Sequence, residues 1–196
     1  IVFIGLLPGT AREILPTLPF GGADSTKLVI SMMAAIQIEE LRSLVGISDS
    51  QIVRTVPLPS SARREGPILA HPDIPAVNDI LNIIGTAVCC ADEKEMTPLV
   101  CLTGHISTFF DLMRTTQDFM VDQGVDSNVS RKFISSFYTS LARATELSEE
   151  SLADMAEEAA TPGGINEQSI GVLRDTEHFK AHYESLNTIL LRLEGK

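Results

Sequence analysis

Three features of this sequence predict an α/β domain with a mostly parallel sheet, followed by an all-α domain. Short apolar, β-branched runs alternate with helical periods over residues 1–92. From about Glu93 onward only helical periods remain. Charge breaks at the same point: residues 1–92 carry 6 basic and 9 acidic groups, net -3, while residues 93–196 carry 9 and 17, net -8. The acidic excess sits on the helical half and reads as a solvated face.

In chain order, Ile1 to Leu6 is an apolar run expected to be a strand, so the chain is expected to begin inside a buried strand, as a fragment of a longer protein would. A turn at Pro8 and Gly9 leads to a short helix, with Thr10 as its cap and Ala11, Ile14, Leu15 and Leu18 facing inward. Pro19, Gly21 and Gly22 close it. Leu28 to Met32 reads as the second strand. Ile36, Ile38, Leu41 and Leu44 then step as a helix that stops at Gly46. Ile52 to Val56 is the third strand, because Pro57 and Pro59 bar a helix there. Ile68 to Ala70 is short and reads as an edge strand. Pro75 suits the first position of a helix on Val77, Ile80, Leu81 and Ile84 that ends at Gly85, and Thr86 to Cys90 supplies one more strand.

In the helical half, Met96, Leu99, Val100 and Leu102 open a helix interrupted at Gly104. Phe109, Leu112, Met113, Phe119 and Met120 continue to Gly124. Phe133, Ile134, Phe137, Tyr138 and Leu141 mark a long helix capped by Asp126 or Ser127. Leu152, Met155, Ala156 and Ala159 form a helix that Pro162 stops. Gly163 and Gly164 are expected to make a reversal with positive φ. Asn166 is the expected N-cap of the next helix, whose inner face is Ile170 and Leu173. Phe179, Tyr183, Leu186, Leu190 and Leu193 step by four, three, four and three residues. That spacing suits a seam between helices, either within the chain or against a partner subunit.

Composition excludes several classes. At 196 residues, 44% hydrophobic and 21% charged, the chain is long enough for one large or two small cores. No apolar run reaches the ~18 residues that span a bilayer. A net charge of -11 without a basic cluster argues against nucleic acid or an anionic membrane as partner. Cys89, Cys90 and Cys101 are odd in number and lack metal-ligand spacing, which predicts free thiols in a reducing, cytoplasmic setting and no metal site.

Five stretches, in order, carry a family resemblance: IVFIGLLP, KLVISMMAAI, QIVRTVPLPS, CLTGHISTFF and TPGGINEQ. They resemble the strand ending in a KP dipeptide, the VIS strand, the VRAMPNTP segment, the SGSGPAY helix start and the PGG motif of pyrroline-5-carboxylate reductases. The resemblance runs from Ile1 to about Leu191. It implies a partial Rossmann-like domain over residues 1–92 and a helical dimerisation and substrate domain over residues 93–196. It also implies NADP or NAD as cofactor and a homodimer joined through the helical half. The family's glycine-rich G-x-G-x-x-G turn has no counterpart in this sequence. In the family it precedes the strand matched by Ile1 to Leu6, so the resemblance implies a chain lacking at least one βαβ unit, roughly 30 residues.

The site residues follow from the same resemblance. Leu7 and Pro8 match the KP turn, Ala34 and Ala35 the AG dipeptide, and Pro57 and Leu58 the PN dipeptide, which makes these six the implied cofactor contacts. Leu7 for Lys, Ala35 for Gly and Leu58 for Asn are departures, and two of them remove polar side chains where nicotinamide and ribose are expected. Thr103, Gly104 and His105 match SGS, while Gly163, Gly164, Ile165 and Asn166 match the PGGTT turn. His105 and Asn166 are the implied catalytic pair: reduction of an imine needs a proton at nitrogen, which a histidine can supply near neutral pH, while Asn166 can donate a neutral hydrogen bond. Thr103, Gly104, Gly163, Gly164 and Ile165 are the implied substrate contacts.

The expected function is reduction of 1-pyrroline-5-carboxylate, or a related cyclic imine carboxylate, to proline. A divergent oxidoreductase for another imine or keto acid is the alternative favoured by His105, Asn166 and Leu58. A non-catalytic dimeric module on the same scaffold is the alternative favoured by the absent phosphate turn.

Overall fold

The computed structural model describes residues 1–22 and 24–194, with Asp49 described by its backbone alone. Two compact units divide the chain, Ile1–Val100 and Cys101–Lys196.

The first unit is built on five strands: β1 (Val2–Ile4), β2 (Val29–Ser31), β3 (Ile52–Pro57), β4 (Pro67–His71) and β5 (Thr86–Cys89). They lie in sequence order, with β1, β2 and β3 mutually parallel, β4 antiparallel to β3, and β5 parallel to β4. The sheet is therefore mostly parallel and flanked by helices, as an α/β alternation requires. Period-two alternation sends neighbouring residues to opposite faces. Val29 and Ile52, paired in register, join Ala11, Leu15 and Leu41 in one buried cluster. Ile30 and Val53, the next pair, join Ile68, Val77 and Leu81 on the other face. The helices covering these faces are α1 (Pro8–Ile14), α2 (Ile38–Val45) and α3 (Pro75–Ile84).

Several sequence expectations are corrected here. α1 starts at Pro8 with Leu7 in the N-cap position, so Thr10 lies inside the helix and caps nothing; proline's fixed φ favours the first helical position. The helix is short, and only Ala11 and Leu15 reach the core, leaving Ile14 and Leu18 exposed. The 68–70 run is no edge strand, since β4 sits between β3 and β5. Its Ile68 and Ala70 are fully buried, which a short run cannot reveal by periodicity. Gly46 closes α2 at φ 68, and Gly85 follows α3.

The second unit begins at the last residue of α4 (Met96–Cys101) and continues with a 3₁₀ turn, Leu102–His105. α5 (Ile106–Asp122), α6 (Ser127–Leu147), α7 (Leu152–Ala159), α8 (Ile165–Asp175) and α9 (His178–Leu193) follow. α5 packs on α6, with Phe109 edge-on to Tyr138 at 5.8 Å. α8 packs on α9. Asp126 caps α6 by accepting from the backbone N–H groups of Asn128 and Val129. No described helix is long and apolar enough to cross a membrane.

Candidate active site

Parallel pairing of β1, β2 and β3 puts Ile4, Ser31 and Arg54 in one row across the sheet. Leu7 and Pro8 lie three and four residues past Ile4; Ala34 and Ala35 lie equally far past Ser31, and Pro57 and Leu58 past Arg54. All six implied cofactor residues therefore lie toward one carboxyl edge of these strands, Pro57 as the last residue of β3 and the other five past a strand end, where ligands of open α/β sheets bind. Leu7, Ala34 and Ala35 are exposed, and Pro57 and Leu58 half-buried. None of the six carries a polar side chain. A ligand at this edge meets apolar surface and backbone groups.

Sequence reasoning passed over the residue that braces this edge. Arg54 is an arginine inside the otherwise apolar run IVRTVP, only 6% exposed. Its Nη1 donates to Glu93 Oε1 at 3.0 Å, and its Nη2 donates to the carbonyl of Ala34. The same Glu93 oxygen accepts from the backbone N–H of Ile38, the first residue of α2, at 3.0 Å. Beside it, Thr55 Oγ1 donates to the Ser31 carbonyl at 2.9 Å. A charge in a buried strand is costly unless paired, and that was the available signal. Cys89 and Cys90, at the end of β5, are free thiols. Burial first, and then the nearby carboxylates of Asp73 and Glu95 respectively, push both above the ordinary cysteine range.

In the helical unit, the 3₁₀ turn delivers His105 into the start of α5 with 6% exposure. Its Nε2 lies 2.9 Å from Ser185 Oγ, and its ring stands edge-on to His182 at 4.5 Å; both partners are on α9. His105 Nδ1 is buried without a hydrogen-bond partner. Gly104 permits this approach, because a Cβ there would come within 2.7 Å of Ile189 Cδ1. Thr103 is half-buried.

The glycine turn is built differently from expectation. Gly163 has φ 75, whereas Gly164 has φ -87 and itself occupies the N-cap position of α8, so Asn166 is the second helical residue and not the cap. Gly164 is needed for space: a Cβ would lie 2.9 Å from the Thr161 carbonyl oxygen. Glu167 reaches back so that its Oε2 accepts from the Gly163 N–H at 2.7 Å, one residue ahead of the N-cap, whose own N–H donates to the Thr161 carbonyl at 2.9 Å. Asn166 Nδ2 instead donates to the Ala159 carbonyl at 3.0 Å, fastening α8 to the end of α7. Ile165 is 83% exposed. His105 is thus bonded to α9 and Asn166 to α7, and no hydrogen bond or ring contact joins the two.

Comparison with known proteins agrees over both units. The family described as pyrroline-5-carboxylate reductase dimerisation matches residues 93–192. Pyrroline-5-carboxylate reductase of Haemophilus influenzae is 26% identical over 194 residues, covering 94% of this chain and 70% of that protein. A pyrroline-5-carboxylate reductase structure from Coxiella burnetii superposes with a TM-score of 0.83 at 19% identity, covering 99% of this chain and 74% of that one. The Plasmodium falciparum enzyme, solved with NADP bound, gives 0.75 at 19% identity, covering 95% and 75%. These structural likenesses establish the fold, a Rossmann-like domain followed by a helical one, and the sequence match over 93–192 establishes kinship. This chain belongs to the pyrroline-5-carboxylate reductases, a family of oxidoreductases.

Proposed function

We propose that this chain reduces 1-pyrroline-5-carboxylate, or a closely related cyclic imine carboxylate, to proline with NADPH or NADH. The observation that carries the reading is the shared edge: the matched residues lie three and four positions past one row that crosses three parallel strands. In this reading residues 1–92 hold the nucleotide and residues 93–196 provide the dimer and substrate surface of a cytoplasmic homodimer.

Leu7, Pro8, Ala34, Ala35, Pro57 and Leu58 form the cofactor floor, and their apolar side chains fit a cofactor held by backbone groups and van der Waals contact. When bound, the reduced nicotinamide supplies the hydride that the imine carbon accepts. Thr103, Gly104, Gly163, Gly164 and Ile165 seat the substrate. His105 delivers the proton to the imine nitrogen, and Asn166 orients that nitrogen with a neutral hydrogen bond.

Fluorescence titration with NADPH and NADH, followed by nucleotide oxidation on addition of 1-pyrroline-5-carboxylate, tests this reading. Stoichiometric binding and proline formation are expected. Binding without turnover of this imine moves the choice to a panel of other imine and keto acids, the reading that His105, Asn166 and Leu58 favour. No nucleotide binding, by this chain or by the same chain extended with the upstream region that the resemblance implies, sinks the reductase reading in favour of a non-catalytic dimeric module.

A further inference from the structure

We infer that Arg54 and Glu93 are positioning residues that set the backbone of the Ala34–Ile38 turn for the nucleotide. The inference rests on the cofactor reading of that turn given above. The turn is anchored by the buried Ile36 and by the Gln37 carbonyl, which accepts from Leu41 N–H at 2.9 Å, but ahead of these its bonds are Met33 N–H to Ser31 Oγ at 3.3 Å and Ile36 N–H to the Met33 carbonyl at 3.3 Å. Both are long for N–H···O bonds. Two side-chain groups that hold its backbone from outside belong to one ion pair. Arg54 takes the Ala34 carbonyl at one end of the turn, and Glu93 takes the Ile38 N–H at the other.

Geometry makes this a unit. The arginine fork satisfies a carbonyl and a carboxylate at once, and one Glu93 oxygen receives both the guanidinium and the Ile38 N–H. The Arg54 side chain is 8% exposed and has no bulk water to turn to, while Glu93, at 22%, keeps one edge open to solvent. Losing Glu93 leaves the Arg54 charge buried, and losing either partner releases one end of the turn. Arg54 touches no reacting atom in this account. It acts through where it holds Ala34 and Ala35.

The test uses the full chain and four variants, Arg54→Met, Arg54→Lys, Glu93→Gln and the double change Arg54→Met with Glu93→Gln. Hydrogen–deuterium exchange of residues 31–38 without nucleotide reads the turn, and NADPH titration with steady-state kinetics reads its consequence. Arg54→Met is expected to exchange faster in this segment and to raise the NADPH Kd and KM about tenfold, with kcat changed less than about threefold. Arg54→Lys, which can reach one acceptor but not both, is expected to fall between. The double variant is expected to be no worse than Arg54→Met, because the pair acts together. Glu93→Gln, the milder change, carries the test if Arg54→Met does not fold. Unchanged exchange in the folded variants overturns the positioning role. Faster exchange with wild-type Kd and KM overturns its link to the nucleotide. Failure of the wild-type chain to bind NADPH, with or without the implied upstream region, is a different result: it removes the cofactor reading itself, and this inference with it.

Discussion

The two units differ in what covers their apolar surface. Ile1–Val100 closes two faces of a sheet, with Val29, Ile30, Ile52, Val53 and Ile68 all fully buried. In the second unit, among the described residues, Cys101 and Ile134 are the buried apolar side chains. Its aromatic residues stay outside: Phe110 on α5, Phe133 on α6 and Tyr183 on α9 are each 60% exposed or more. Phe133 and Phe137 even stack on one another at 6.2 Å while both remain exposed. Burying one such side chain contributes about 1.5–3 kcal/mol, so a surface of this kind is a strong drive toward association. The first unit is stabilised by its own packing, and the second is built to be covered by another surface, in the proposed homodimer a second copy of itself.

The largest expected effect lies in the first unit. Leu41→Ala on α2 empties a site with 0% exposure and is expected to cost about 2–5 kcal/mol, read as a fall in the urea midpoint. The loss should not vary with protein concentration. A loss below about 1 kcal/mol would mean that this core relaxes around the gap, and the contrast between the units would weaken.

Association supplies the next effect. Phe137→Asp on the exposed face of α6 is expected to weaken self-association about a hundredfold by sedimentation, roughly 2.7 kcal/mol. In the wild type, melting of the helical unit should shift upward with protein concentration, as mass action requires. Concentration-independent melting together with a monomeric wild type would remove self-association as the explanation for the exposed face.

The same contrast governs what could be read from sequence. In the first unit, strand and helix order was legible because buried runs are short, β-branched and punctuated by Gly and Pro. The position of β4 was not, since pairing partners are set by tertiary packing and leave no trace in a five-residue run. The cofactor turns could be located by family motifs, but Arg54 was missed although it stood inside the quoted QIVRTVPLPS stretch. Its role depends on Glu93, distant in sequence, and on a backbone carbonyl that no motif encodes. In the second unit, Asp126 was legible because capping is local. The turn at Thr161 to Gln168 was half legible: its glycines marked a reversal, but that Gly164 takes the cap position of α8 goes with its close approach to the Thr161 carbonyl, which no motif encodes. His105 was found by motif alone, and nothing in its vicinity foretold Ser185 and His182 on α9.

Thiol chemistry gives a smaller, tenfold effect. Burial and nearby carboxylates raise Cys89 and Cys90, so both stay protonated where a free cysteine, near 8.5, begins to ionise. Iodoacetamide at about pH 8 is expected to label them at least tenfold more slowly in the folded than in the urea-unfolded chain. The raised folded value contributes stability that is complete below the unfolded pKa and is lost as pH rises through the folded one. Equal labelling rates would show the end of β5 to be open.

The smallest effect tests how helices begin in each unit. α1, α2 and α3 start without a side-chain cap, and α2 takes its help from distant Glu93. α6 and α7 start on their own Asp126 and Ser151. Where burial is extensive, packing fixes a helix end and a local cap adds little; where a mostly exposed helix carries a capping side chain, as α6 and α7 do and α5, α8 and α9 do not, its first turn depends on the cap. Asp126→Ala removes the acceptor for Asn128 and Val129 N–H and is expected to cost about 1 kcal/mol. Asp126→Asn keeps an acceptor and should recover most of that loss, while removing only the charge that favours a helix start. If the alanine and asparagine variants lose equally, charge and not the hydrogen bonds holds this end. If neither loses measurably, the α5–α6 contact through Gln117 Nε2 and the Ser127 carbonyl, 2.8 Å apart, fixes α6 instead, and the helical unit begins its helices by packing, as the sheet unit does.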